Sequence, residues 1–313
     1  MKHQEISCHI VATMSDRAAT EVKPNELLSE FRKETLPLTY YNYNTFTEQE
    51  KMSLETMCIF FCGLHALVNF ADTAKNTLKE LELGIFNNEV PCSDKSYKDN
   101  DPGTCRLVRT ASKAFGEGSG GDEKSGCQGK FKTFAAEFLR EHGMKTVPLR
   151  SFRGSRFNIL FHNASSAFFL YSKMKEFLEN YGAENRLLKS ILFDLKTTKF
   201  IAGLKALGLL SMFVTCPLWS VLENGNVSII DMNEKYLQLV TFLDDASQNV
   251  AAFMSGDLLM FGKNTQLEKG PIYNSLIGRN TFDSTVEMFL QVLLSALCKH
   301  SRKLCADHLP EGN

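Results

Sequence analysis

Met57-Cys58-Ile59-Phe60-Phe61-Cys62-Gly63-Leu64-His65 is the stretch on which the fold turns. Met57 to Phe61 is a short, aromatic-rich apolar run bounded by Gly63, which favours a buried strand. The competing reading makes it the start of the next helix, because Thr47 and Glu50 upstream form a capping-box pattern. Downstream the helical period is clear. Leu64, Leu67, Val68, Ala71, Leu78 and Leu81 share one face, and Gly84 is placed to close the helix as its C-cap.

Working towards the N-terminus, Ile6 to Met14 reads as a buried strand carrying Ile6, Ile10 and Val11. It runs into Met14-Ser15-Asp16-Arg17-Ala18-Ala19-Thr20. A helical pattern starts near Ala18 and continues through Leu27, Leu28 and Phe31, with Pro24 in its first turn. Leu36 to Thr45 reads as a loop. Strand, helix, strand, helix is the order of a parallel βα unit. Ligands gather at the carboxyl ends of such strands, and both Asp16 and Cys62 to His65 fall there. Only two strands are evident, which is few for a stable sheet.

The expected organisation is three-part. Residues 1–84 form the α/β unit, residues 85–130 a flexible loop, and residues 131–313 a mostly α-helical domain. The loop contains Gly116-Glu117-Gly118-Ser119-Gly120-Gly121 without the Gly-Lys-Ser/Thr that a phosphate cradle needs, so it reads as a linker. In the helical part, expected helices are Phe131 to His142, Ile159 to Tyr181, Asn185 to Lys196, Phe200 to Leu210, Asn233 to Met254 and Phe282 to Cys305. Val227 to Ile230 reads as a short extended piece after a turn at Glu223 to Asn226.

Composition bounds the function. The chain has 313 residues, 43% of them apolar and 23% charged, so a real core is affordable. Net charge is -1, and no global field draws the chain to nucleic acid or an anionic membrane. Nine cysteines are odd in number and irregular in spacing, and several lie in apolar runs, which suits reduced thiols rather than a secreted framework. Phe200 to Leu222 is the best membrane candidate, but Lys205 and Pro217 make it read as two buried helical pieces. The expectation is an intracellular protein with no membrane partner, the nucleus placed ahead of the cytoplasm although no compact basic cluster marks it.

Several residues are candidates for chemistry. Asp16 is either a metal ligand or the N-cap of the following helix. Cys62 and His65 resemble half of a zinc site, with Cys58 as a third ligand and Cys92, Cys105 or Cys127 as complement. No C-x-x-C pair supports this, so zinc is not expected and a satisfied core histidine is the default. A Cys62–His65 nucleophile dyad lacks an orienting partner, and burial would raise the thiol pKa. Arg150, Arg153 and Arg156, interleaved with Phe152 and Phe157, suit phosphate and exposed bases, or else form a solvated loop anchored by its phenylalanines. Lys196, Lys199 and Lys205 read as a solvated helix face, and Asn163-Ala164-Ser165 fits a glycosylation pattern.

In order and spacing these motifs resemble the core of hAT-like DNA transposases, with their P-element and Kolobok relatives that share a C/D-x-x-H pattern. Asp16 matches the family's second acidic residue, and Cys62 with His65 matches the C-x-x-H. Arg153-Gly154-Ser155-Arg156-Phe157-Asn158 is similar to the Arg-Trp-Asn segment that opens the family's helical insertion, with Phe157 in place of tryptophan. The resemblance implies a partial RNase H-like unit followed by insertion helices, with DNA as a partner. It also implies two Mg²⁺ ions about 3.5–4 Å apart if the site were active. Two departures stand against activity. The family's first Asp would precede the Asp16 strand, where only Met1 to Glu5 remains, and the closing Glu has only Glu287 or Glu311 as candidates. One Asp cannot position two hard ions. The resemblance therefore implies a transposase-derived protein truncated at both ends and catalytically incomplete, binding DNA or a partner. The alternative is a helical protein-interaction scaffold with no nucleic-acid role. A Mg²⁺-dependent nuclease ranks third, and an exposed strand edge makes self-association an expectation.

Overall fold

The computed structural model describes residues 7–15, 19–93, 101–116, 127–152, 158–224, 227, 231–265 and 267–309. The chain opens with β1 (Ala12–Ser15), α1 (Ala19–Thr39), a 3-10 turn (Tyr43–Thr45), α2 (Glu48–Glu55), β2 (Cys58–Phe61) and α3 (Gly63–Ile85). β1 and β2 pair in parallel, Ala12 opposite Cys58 and Ser15 opposite Phe61. The strand reading of the 57–65 stretch holds and the helical one does not. Thr47 and Glu50 form a complete capping box that starts α2, but that helix ends at Glu55 and Cys58–Phe61 is a strand.

The fold is thus a small parallel sheet amid helices, followed by a mostly helical body. Among the described residues the sheet has two strands, and no five-stranded RNase H-like sheet is seen. Most described apolar runs beyond Phe61 are buried as helix, whereas Leu258 to Phe261 packs as a turn outside any helix.

Three details of the N-terminal unit correct the sequence reading. The first strand is shorter than Ile6 to Met14, and residues 7–9 form a helical turn instead. The cause is Arg32, buried on α1, whose guanidinium donates to the carbonyls of Ser7, Cys8 and Ile10 at 3.0, 2.6 and 2.7 Å. Those acceptors are then lost to a strand ladder. Secondly, α1 turns Asn25, Arg32, Thr35 and Leu36 inward and leaves Leu27 and Phe31 exposed. Its inner face is held by polar bonds that a hydrophobicity pattern does not register. Thirdly, the loop expected from Leu36 is helical to Thr39. A small cluster of Cys8, Leu36 and Tyr43, flanked by Tyr40, Phe46 and Leu54, forms a core of its own.

The helical body comprises α4 (Gly103–Phe115), α5 (Gln128–Phe134), α6 (Ala136–Glu141), α7 (Ile159–Tyr181), α8 (Arg186–Leu195) and α9 (Thr198–Leu210). A π-turn (Ser211–Thr215) leads to α10 (Cys216–Leu222), then α11 (Met232–Gln248), α12 (Val250–Ser255), α13 (Pro271–Ile277) and α14 (Asp283–Leu304). α7 has the bounds the sequence predicts, Asn185 caps α8 by accepting from Leu188 N–H, and Asn249 splits the expected 233–254 helix by capping α12. α3 packs against α14, and its Leu67, Phe70, Ala74 and Leu78 lie in the same core as Phe115, Phe200 and Phe289. Each such phenylalanine, fully buried, contributes about 2–3 kcal/mol of transfer free energy. Gly84 does not close α3. The helix runs one residue further, and Asn87 and Asn88 take the positive-φ positions after it.

The expected 85–130 loop contains α4, which is almost wholly buried. Its core side carries Thr104, Arg106, Thr110 and Ser112 among the apolar residues, so its sequence looks like a surface segment. The polar groups are met inside. The Glu82 carboxylate accepts from Gly103 N–H and Thr104 N–H, capping α4 from α3. Arg106 grips Asp194 of α8 through two bonds of 3.0 and 2.7 Å. Lys205, read as solvated, is 1% exposed. Its ammonium bonds Asp283 at 2.6 Å and the Gly278 carbonyl at 2.7 Å, tying α9 to the start of α14. Thr198–Leu222 is one helical stretch long and apolar enough to cross a membrane, and most of it is buried inside the body. Its π-turn separates the two pieces the sequence suggests.

Candidate functional site

The parallel register brings the two sequence motifs to one end of the sheet. The Cys62 N–H donates to the Ser15 carbonyl at 2.8 Å, so the end of β1 at Ser15 lies beside the start of α3. Asp16 itself lies outside the described residues. Cys62 occupies the N-cap position of α3, its carbonyl accepting from His65 N–H at 3.0 Å, and its thiol makes no capping bond. His65 is half-buried rather than a core residue, and its carbonyl accepts from the Asn69 amide at 2.8 Å. Cys58 is exposed. Among the described residues no group of three or more His, Cys, Asp or Glu side chains is placed to hold a metal ion.

What this strand end does in the structure is join the sheet to the helical body. A Cβ on Gly63 would overlap the Tyr236 hydroxyl and Leu222, so a larger residue there would have to displace those side-chain ends where α3 starts against α10 and α11. Phe60 of β2 stacks on His308 with ring centroids 5.1 Å apart, and Tyr236 packs on the same imidazole at 4.7 Å. His308 Nδ1 lies 2.7 Å from Asn233 Oδ1 at the head of α11. Burial, with Cys305 and Cys62 nearby, pushes the Tyr236 phenol far above its usual range and keeps it neutral. His308 was not legible as a site residue, because it sits in a polar tail with no period to place it.

The arginine segment is described only at its start. Arg150 is exposed, and Arg153 and Arg156 lie outside the described residues. The backbone at Arg150 is clamped by Asn163, whose carbonyl oxygen accepts from Arg150 N–H at 3.0 Å and whose amide donates to Arg150 O at 2.8 Å. Asn163 is completely buried and also donates to Ser112, so in the folded chain its amide serves packing and is closed to glycosylation. Phe152 rests on the core beside it.

His162 follows on α7. Burial, then the neighbouring Arg150 charge, lowers its pKa from 6.5 to about 4. The unfolded chain therefore binds a proton that the folded chain excludes between those values, and stability falls as pH drops through that window. We expect a loss approaching about 3 kcal/mol by the lower end. Urea titrations across this range should show it, and His162→Gln should flatten the dependence. A slope unchanged by that substitution would assign the effect elsewhere.

A cleft of about 180 Å³ beside α10 is lined by Pro217, Val221, Lys235, Phe261 and Asn264, with the Lys235 ammonium 5.4 Å from the Phe261 ring centroid. It is below the several hundred Å³ usual for small-molecule sites. Comparison with known proteins finds no matching family model, no similar curated protein and no similar solved structure.

Proposed function

We propose that this chain works by binding a protein, as a helical interaction scaffold without a nucleic-acid role. The observation that carries the reading is the distribution of exposed large apolar side chains. Val11, Met14, Leu27, Phe31, Leu38 and Met52 are all exposed on the N-terminal unit, Leu38 by 74%. Charged residues inside the fold serve instead as clamps, Glu82 of α3 and, in the helical body, Arg106, Asp194 and Lys205. Concentrated apolar exposure marks an interaction face more often than scattered exposure does.

A second reading has its own support. The parallel pairing sets the Ser15 and Cys62 strand ends side by side, which is the arrangement a transposase-derived RNase H-like unit would need. In that reading the chain binds DNA. Asp16 is then a Mg²⁺-ligand candidate, Arg150, Arg153 and Arg156 are phosphate contacts, and a nuclear location goes with them. One titration separates the two. Fluorescence anisotropy with a labelled duplex at low salt should show no binding if the chain is a protein scaffold. Binding that weakens steeply with salt, and further in the Arg153→Ala/Arg156→Ala variant, would replace the scaffold reading with the DNA-binding one.

A further inference from the structure

The cleft beside α10 joins an apolar floor to a single cation. Pro217 and Phe261 are buried there, with half-buried Val221 and Val227 beside them. Lys235 lines the same cleft and is itself half-buried. Its ammonium makes one long bond, 3.5 Å to the Gln238 side-chain oxygen, and otherwise lies over the Phe261 ring. Among the described residues no carboxylate pairs with it. Glu234, its neighbour in the chain, accepts from the Gln238 amide at 2.8 Å instead. The buried cations of the body differ, since Arg106 and Lys205 each meet a carboxylate. Position makes the contrast sharper. Lys235 stands in the opening turn of α11, where the helix dipole favours an anion over a cation. The Phe261 ring offsets only part of that disadvantage.

From this arrangement we infer that the cleft binds a small carboxylate carried on a short apolar body. The carboxylate takes the Lys235 ammonium and the helix start, and the apolar body lies on Pro217, Val221, Val227 and Phe261. Inorganic phosphate would satisfy the charge and leave that floor wet. An amine would use the floor and be repelled by Lys235. The cleft, about 180 Å³, holds one such group and not a nucleotide or a larger cofactor. A free short-chain acid and the C-terminal residue of a peptide both carry this chemistry. None of the cleft residues belongs to the N-terminal unit, so the inference stands apart from the scaffold reading.

Titration of the full chain with pentanoate, followed by NMR of labelled valine methyl groups, tests it. The Val221 and Val227 methyls should shift and saturate, with an affinity of about millimolar for so small a ligand. Lys235→Met keeps an apolar stem over Phe261 and removes the charge. It should weaken binding by roughly tenfold or more, the fold-change for losing a charge-assisted bond. Val221→Trp fills the cleft and should abolish binding. Methyl groups distant from the cleft should keep their positions in both variants, which shows that the fold is retained. Pentan-1-ol, pentylamine and inorganic phosphate should each bind roughly tenfold or more weakly than pentanoate. No shift at tens of millimolar pentanoate, equal binding by Lys235→Met, or a match by the alcohol or by phosphate would overturn the inference. N-acetyl-glycyl-leucine in the same titration separates the two sources. Tighter binding than pentanoate assigns the cleft to a peptide terminus, weaker binding assigns it to a free acid, and both uphold the carboxylate site.

Discussion

Asp194→Ala should destabilise the fold by about 3–5 kcal/mol, the cost of leaving a buried charge without its partner. Asp194 is fully buried and Arg106 is 2% exposed. The guanidinium meets the carboxylate bidentately, donates to the Pro91 carbonyl at 2.8 Å, and lies 5.5 Å from the Phe200 ring centroid. Removing the carboxylate strands a cation among α4, α8 and α9 and opens a small void. Removing both charges is a different matter. Arg106→Met/Asp194→Leu restores apolar packing without an unpaired ion, and it should lose far less than the sum of the single variants. Urea denaturation of the four proteins in the cycle measures the difference. Additive losses would mean that the pair does not act as a unit.

Glu82→Ala should cost roughly 3–5 kcal/mol, because three buried donors lose their acceptor at about 1–3 kcal/mol each with partial relaxation. Those donors are Gly103 N–H, Thr104 N–H and the Thr104 hydroxyl, the last at 2.6 Å. Relaxation is limited by close packing. Gly103 is pressed against the Phe200 ring, and Gly203 of α9 against the Thr104 side chain. Burial raises the Glu82 pKa, while the bonds from Thr104 and Gly103 oppose the rise. Glu82→Gln keeps one acceptor oxygen and should recover part of the loss. The expected signature is a lower midpoint in chemical denaturation for both, with Ala below Gln. Equal midpoints for Ala and wild type would show that α4 does not need its cap.

These two sites also show where sequence reading stops. The βα order, the capping box at Thr47 and the long α7 were legible because each rests on local spacing or on a continuous apolar period. α4 was not, since its inner face is threaded with Thr104, Arg106 and Ser112, whose partners Glu82, Asp194 and Asn163 lie 22, 88 and 51 positions away. Lys205 looked solvated for the same reason, its partner Asp283 being 78 residues distant. The first strand was overdrawn because nothing in Ile6 to Met14 announces that Arg32 will take its carbonyls. At the candidate site, the placement of Cys62 at a strand end was readable, but its role was not. Gly63, flanked by the two residues that drew notice, is the position that Tyr236 and Leu222 constrain.

The central claim is that the chain acts by binding and not by cutting or joining DNA. Incubation of the purified chain with supercoiled plasmid and Mg²⁺ tests it most directly. The account predicts that the plasmid stays supercoiled, with wild type and Asp16→Asn indistinguishable. Conversion to open circles by wild type, lost in Asp16→Asn while the fold is retained, would contradict it and make Asp16 a working metal ligand.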